Sequence, residues 1–360
     1  MEGSGSLRRT ALPMQQVEDP AEWTGAELAA SDDWIFDLTE PDVAELEAAV
    51  AGIDARGLDL LHVGVDEFPL GALEDKLAKV KAQVIDGRGL ALVRGLPVER
   101  LGPEVTAKAF WGMGLRVGEP VSQNAMGHMM GHVTDLVGKD LGNPKNRGYQ
   151  TSAELHFHGD SCDVVALLCR NEAKSGGVTK FVSSAAIHNE MLRRRPDLVE
   201  QLAGPWCRDR REEVPDGKNP WFVMPVFNYI DGHLVVAWQG TYIRSAQRFD
   251  GVPKFTDLQN EALAMLSDLA EELCHGIQLR RGDTVFTHNH VILHARTEFE
   301  DYHEADRRRH LFRLWLATPG GRPIPEELLE RYVGLEPGQR PSGVIVKDTT
   351  LCAPLIPVSG

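Results

Sequence analysis

The sequence predicts an antiparallel β-core covered by helices, and two observations lead there. Short β-prone runs follow one another at close spacing, mostly between Leu90 and Leu316. Amphipathic helical stretches bracket them, so the pattern fits strands packed under helices better than a parallel βαβ sheet. No internal repeat is visible.

Residues 1–30 are polar and punctuated by Gly, Ser and Pro, and read as an extended or mobile arm. Residues 31–336 read as a single domain, and residues 337–360 as a Pro/Gly-rich tail on the surface. Thr39, just ahead of Pro41, caps a helix with Val43, Leu46, Val50 and Ile53 at helical spacing. A second helix runs from Leu70 to Val84 and stops at Asp86-Gly87-Arg88-Gly89. Leu90 to Pro97 reads as a buried strand, and Pro103 to Leu115 as a third helix. From Val121 to Gly148 the chain is irregular, which fits a substrate lid or a plain surface excursion.

Val164 to Cys169 has the apolar run of a central strand. Ala173 to Val182 is a Gly-led turn into another, and Ser184 caps a helix through Leu192. Asp231-Gly232 joins Pro220–Tyr229 to His233–Trp238 as a hairpin. Tyr242 to Phe249 reads as helical. Thr256 to Leu273 is a long amphipathic helix with Thr256 and Gln259 set as a capping box. Short strands end the pattern, at Gly276–Leu279, Thr284–Thr287, Val291–His294 and Leu311–Leu316.

The 360 residues are 42% hydrophobic and 25% charged, ordinary for a globular protein. A net charge of −15 argues against a nucleic-acid groove or an anionic membrane surface as the main partner. No apolar run reaches the ~20 residues of a membrane span, and the first residues lack a secretory signal. The five cysteines are odd in number and irregularly spaced, which suits reduced thiols in the cytoplasm. A small-molecule substrate is the expected partner, with a homo-oligomer left open.

The chemistry starts at Glu154-Leu155-His156-Phe157-His158-Gly159-Asp160. His158 and Asp160, at i and i+2 of a strand, leave one face. A third ligand from distant His294 would complete a facial site with open positions, as in non-haem Fe(II) oxygenases. His156 with His158 and His294 is the rival, cupin-like set. His288 and His290 alternate with His294 and read as lining the core or meeting solvent.

The ordered set His156-Phe157-His158-Gly159-Asp160, Ala173–Thr179, Gly282-Asp283, His294–Asp301 and Arg309–Trp315 resembles the taurine dioxygenase (TauD/TfdA-like) family. These are Fe(II)- and 2-oxoglutarate-dependent oxygenases related in fold to clavaminate synthase, and the resemblance spans roughly residues 85 to 320. It implies a double-stranded β-helix (jelly roll) core with helical insertions, and His158, Asp160 and His294 as metal ligands. It places Arg309, fifteen residues beyond His294, on the far carboxylate of 2-oxoglutarate, with the Thr179 hydroxyl as a second donor. Only arginine offers that carboxylate a planar, bidentate cation. With Arg307 and Arg308 beside it, Arg309 could instead belong to a solvated basic run. Arg313, on the same strand face, would grip the cosubstrate's other end or an anionic group of the substrate. The implied reaction consumes O2 and 2-oxoglutarate and releases succinate and CO2 while hydroxylating an unactivated C–H bond. The substrate class implied is an amino acid, an amino-acid derivative or an organic acid. Desaturation, epimerisation or cyclisation, or a non-catalytic binding barrel, are the alternatives.

Overall fold

The computed structural model describes residues 8–136, 138, 148–329 and 339–357. Its helices are α1 (Gly25–Ala29), α2 (Glu40–Ala55), α3 (Leu73–Ile85), α4 (Val98–Val117), α5 (Ser184–Arg194), α6 (Pro196–Ala203), α7 (Gly240–Ser245), α8 (Asp257–Leu273) and α9 (Glu326–Leu329). The strands up to the middle of the chain are β1 (Ile35–Asp37), β2 (Leu90–Arg94), β3 (Glu119–Val121), β4 (Gly131–Val133), β5 (Leu155–His158), β6 (Val164–Asn171), β7 (Ser175–Gly176) and β8 (Thr179–Ser183). Then follow β9 (Cys207–Asp209), β10 (Trp221–Val223), β11 (Phe227–Ile230), β12 (His233–Val236), β13 (His275–Ile277), β14 (Thr284–His288), β15 (Ile292–Arg296), β16 (Phe299–Glu300) and β17 (His310–Ala317).

Helices take up more of the chain than strands, so the fold is mixed α/β with several antiparallel sheets, where the sequence suggested a mainly β protein. The reason lies in the layering. Two sheets face each other, and each needs helices over its outer side to bury the second face. The larger sheet has the order β1-β2-β14-β6-β17-β3, with β4 also on β17, and is antiparallel apart from β1 and β2. The smaller is β13-β8-β15-β5, antiparallel throughout.

Strand alternation on β17 decides where the site lies. Phe312, Leu314 and Leu316 point outward to Phe110 and Met113 of α4. Leu311 points inward, packing with Phe181 and Ile292 of the smaller sheet. Arg313 and Trp315 share the inward parity of Leu311. On the other side of the molecule, Val182, Leu293 and Ala295 pack against Leu198, Leu202, Leu263 and Leu266 of α6 and α8.

Local sequence accounts for most boundaries. Thr256 and Gln259 close a reciprocal capping box on α8, at 3.2 and 3.0 Å, and Thr39 with Asp42 does the same on α2. On α5 the cap is Ser183, which accepts from the Ala186 N–H, while Ser184 donates to the Val291 carbonyl. Asp231 (φ 46°) and Gly232 (φ 77°) have the positive φ pair of a type I′ hairpin turn.

The picture of an extended arm does not describe residues 8–30. Ala21, Trp23 and Leu28 are buried between the sheets, and Asp19 makes a buried ion pair with Arg322 at 2.8 Å. Apolar residues scattered at irregular spacing in a polar stretch hid this docking from sequence reading. The C-terminal segment pairs with the loop after β3: the Val344 N–H donates to Ser122 and the Met129 N–H to Cys352, both at 2.8 Å. Arg340 pairs with buried Asp163. No described helix is long and apolar enough to cross a membrane, and the described cysteines are free thiols. Of the irregular stretch read as a lid or excursion, residues 137 and 139–147 lie outside the described residues.

A buried relay ties the outer face of β17 to the C-terminal segment. The His132 Nε2–H donates to the Pro354 carbonyl, so its Nδ1 accepts from His310 Nε2 at 2.8 Å, and His310 Nδ1 accepts from Arg170. This pattern needs both rings neutral. Burial draws their pKa values from the ordinary 6.5 down to about 4 and about 3. Between those limits the unfolded chain binds protons that the folded protein refuses. Stability is therefore complete above about pH 6.5 and lost as pH falls toward 4. We expect the melting temperature to fall through that window, and to fall less steeply in a His132→Phe/His310→Phe variant. An unchanged acid dependence in the variant would refute the assignment.

Candidate metal centre and cosubstrate pocket

The smaller sheet brings two histidines face to face. His294 of β15 is the direct cross-strand partner of His158 at the end of β5, and their ring centroids are 4.4 Å apart. Asp160 follows two residues on, and the three side chains offer ligand atoms that all lie within 4.8 Å of one another. His156 is exposed and stands outside this group; its carbonyl accepts from Nδ1 of His158 at 2.8 Å. That bond fixes the tautomer and leaves the Nε2 lone pair for a metal. Burial, reinforced by the neighbouring His158, pushes His294 down to about 3, so its ring is neutral and able to donate at pH 7.

Asp160 is held by the opposite sheet. Trp315 Nε1 donates to its Oδ2 at 2.9 Å, and the Arg313 guanidinium stands 3.6 Å from the same oxygen. Burial alone would raise this carboxyl. The charges of Arg313, His294 and His158, with the Trp315 bond, keep it below the ordinary range instead. The backbone around it is fixed too. Asn289 accepts from the Asp160 N–H at 2.9 Å and donates to the Cys162 carbonyl, while Gln239 donates to the Gly159 carbonyl. Gly159 is required here, because a Cβ would stand 2.9 Å from the Asn289 carbonyl oxygen.

The residues read as cosubstrate contacts are placed as follows. Thr179 is buried at the start of β8, in register with Arg296 on β15. Arg309, one residue before β17, is 4% exposed, whereas Arg307 and Arg308 face solvent. The solvated-run alternative therefore fails for Arg309. Its Nη1 is buried without a hydrogen-bond partner among the described residues, and its guanidinium lies 5.1 Å from the Phe299 ring. Arg313 is engaged: Nε donates to Gln123 Oε1 at 2.7 Å, and its guanidinium stacks 4.4 Å from the Tyr149 ring.

His288 and His290 do not share a strand with His294. β14 ends at His288, a turn follows, and His290 bonds Asp163 at 3.0 Å. Sequence reading gave no role to Trp315, Gln123 or Gln239. Only Trp315 had a usable signal, its i+2 spacing from Arg313 on one strand face.

Two imidazoles and one carboxylate with converging ligand atoms define the class: a facial non-haem iron site with positions left for small ligands. The donor set fits Fe(II), since both rings can present a lone pair and the carboxylate is ionised. The comparisons agree. The model of the taurine catabolism dioxygenase TauD, TfdA family matches residues 54–315, and the chain belongs to that family. It is an Fe(II)- and 2-oxoglutarate-dependent oxygenase. A taurine hydroxylase-like protein of Stachybotrys chartarum is 31% identical over 325 residues, 85% of this chain and 83% of its own. The FR-33289 synthase of Streptomyces rubellomurinus is 29% identical over 328 residues, 89% of this chain and 96% of its own. Among solved structures, an asparagine oxygenase with Fe(II), 3-hydroxyasparagine and succinate shares the fold at TM-score 0.62 and 18% identity, over 87% of this chain and 99% of that one. The oxygenase OrfP with iron and 2-oxoglutarate does so at TM-score 0.58 and 15% identity, over 78% and 93%.

Proposed function

We propose that this protein hydroxylates an unactivated C–H bond of a small amino acid, amino-acid derivative or organic acid. The observation that carries the reading is the convergence of His158, Asp160 and His294 in the intersheet space whose other wall holds Arg313. These three residues would hold Fe(II). Bound there with 2-oxoglutarate, the iron supplies the O2 activation that oxidises the C–H bond, with release of succinate and CO2. The chain's own residues orient and hold. Arg309 takes the far carboxylate of the cosubstrate, with Thr179 as a second donor. Trp315 and Arg313 fix the rotation of the Asp160 carboxylate. Arg313, already facing the centre, is placed to take a carboxylate of the cosubstrate or substrate.

The two facing sheets are read as the halves of a jelly roll with helical insertions, and residues 31–336 as one domain. Support for the substrate class comes from the structural neighbours, whose complexes hold hydroxylated asparagine and hydroxylated arginine. The decisive experiment is anaerobic purification, addition of Fe(II), 2-oxoglutarate and a panel of amino and organic acids, and then O2. Succinate should form together with a product carrying one added oxygen. A product short of two hydrogens would replace hydroxylation by desaturation, and no succinate with iron bound would reject the reading.

Trp315→Phe keeps an aromatic body but removes the donor to Asp160. Loss of such an outer contact weakens metal binding about 10- to 100-fold. Chelator competition should show that loss with the melting temperature little changed; equal Fe(II) affinity would show that Trp315 does not position the ligand.

A further inference from the structure

We infer that Arg296 is a second cation of the cosubstrate pocket, donating together with Arg309 to the far carboxylate of 2-oxoglutarate. This rests on the reading of Arg309 given above. Arg296 ends β15 two residues after His294 and is 5% exposed. Its Nη2 donates to the carbonyls of Thr151 and Ala153. Its Nε and Nη1 are buried and have no hydrogen-bond partner among the described residues. Arg309 shows the same condition at Nη1.

The two guanidinium groups share one environment. Their central carbons lie 4.8 and 5.1 Å from the Phe299 ring. Arg296 is in register with Thr179, which brings all three proposed donors to one place. Gly177 makes room for Arg309: its φ is +70°, and a Cβ there would stand 3.1 Å from Arg309 Nε. Neither arginine has a carboxylate within ion-pair distance among the described residues. A guanidinium is not deprotonated in proteins, so both side chains are cations at pH 7.

Two buried like charges with donors unsatisfied are costly, and a buried charge is tolerated when an anion and hydrogen bonds complete it. The planar fork of Arg296 suits a division of labour. One nitrogen holds the segment at Thr151 and Ala153 that leads into β5, and the other two face the anion. A lysine ammonium, with no fixed plane, would not serve both.

The test compares two ligands by anaerobic isothermal titration of the Fe(II) enzyme. 2-Oxopentanoate keeps the 2-oxo acid end of 2-oxoglutarate and lacks the far carboxylate. Arg296→Met should bind 2-oxoglutarate about 10- to 100-fold more weakly and 2-oxopentanoate as the wild type does. Arg296→Lys, run beside it with melting temperatures, should show the same selective loss to a smaller degree and covers a Met variant that fails to fold. An equal loss for both acids, or no loss for either, overturns the inference and leaves Arg296 as a holder of the loop. Arg309→Met separates the two readings. Failure of that variant to discriminate between the acids rejects the role of Arg309, whereas selective loss there and none at Arg296 rejects Arg296 alone.

Discussion

His158→Ala and His294→Ala should each abolish turnover and weaken Fe(II) binding while leaving the protein folded. The two rings sit opposite each other on β5 and β15, whose pairing is made by backbone groups that alanine keeps. Removing either imidazole leaves two ligands, too few to hold iron on one octahedral face. His156→Ala should retain the metal, because that side chain is exposed and only its carbonyl touches the site. Iron content by mass spectrometry and far-ultraviolet circular dichroism read both halves of the prediction. Iron kept in the first two variants, or lost only in His156→Ala, would favour the cupin-like ligand set.

Arg309→Lys should raise the KM for 2-oxoglutarate by one to two orders of magnitude, about 1.5–3 kcal/mol for a charge-assisted contact that loses its fork. Charge is conserved, so a purely electrostatic pocket would feel little change. Arg309 is too deeply placed for water to replace the missing donor, at 4% exposure. Affinity for Fe(II) should barely move, since Arg309 lies against Phe299 and bonds Asp301 through its backbone N–H, and among the described residues it touches none of His158, Asp160 and His294. An unchanged KM would remove Arg309 from the cosubstrate site.

The Arg309 case also shows where sequence reading reaches its limit. Its spacing from His294 was legible, but its burial was not, because Arg307, Arg308 and Arg309 look alike in one dimension. What separates them is that Arg309, just ahead of β17, is buried against Phe299, a matter of tertiary packing.

Other elements divide the same way. The Thr256 capping box, the Asp231-Gly232 turn and the His158/Asp160 pair were readable because each depends on residues close in sequence. The docking of Trp23 between the sheets was not, and neither was the pairing of the C-terminal segment with residues 122–129. Both depend on partners far along the chain, 65 residues away for the bond from Trp23 to the Arg88 carbonyl and more than two hundred for the C-terminal pairing, which local periodicity does not encode.

By itself, the sequence determined the ligand types, their order along the chain and the chemistry they can perform. Tertiary structure alone decided that Trp315 and Arg313 of the larger sheet close on Asp160 of the loop after β5, at 2.9 and 3.6 Å. It alone placed Arg296 and Arg309 on one aromatic ring. The reason is geometric. A strand's pattern fixes which side chains share a face, but which face meets which is settled only when two sheets pack.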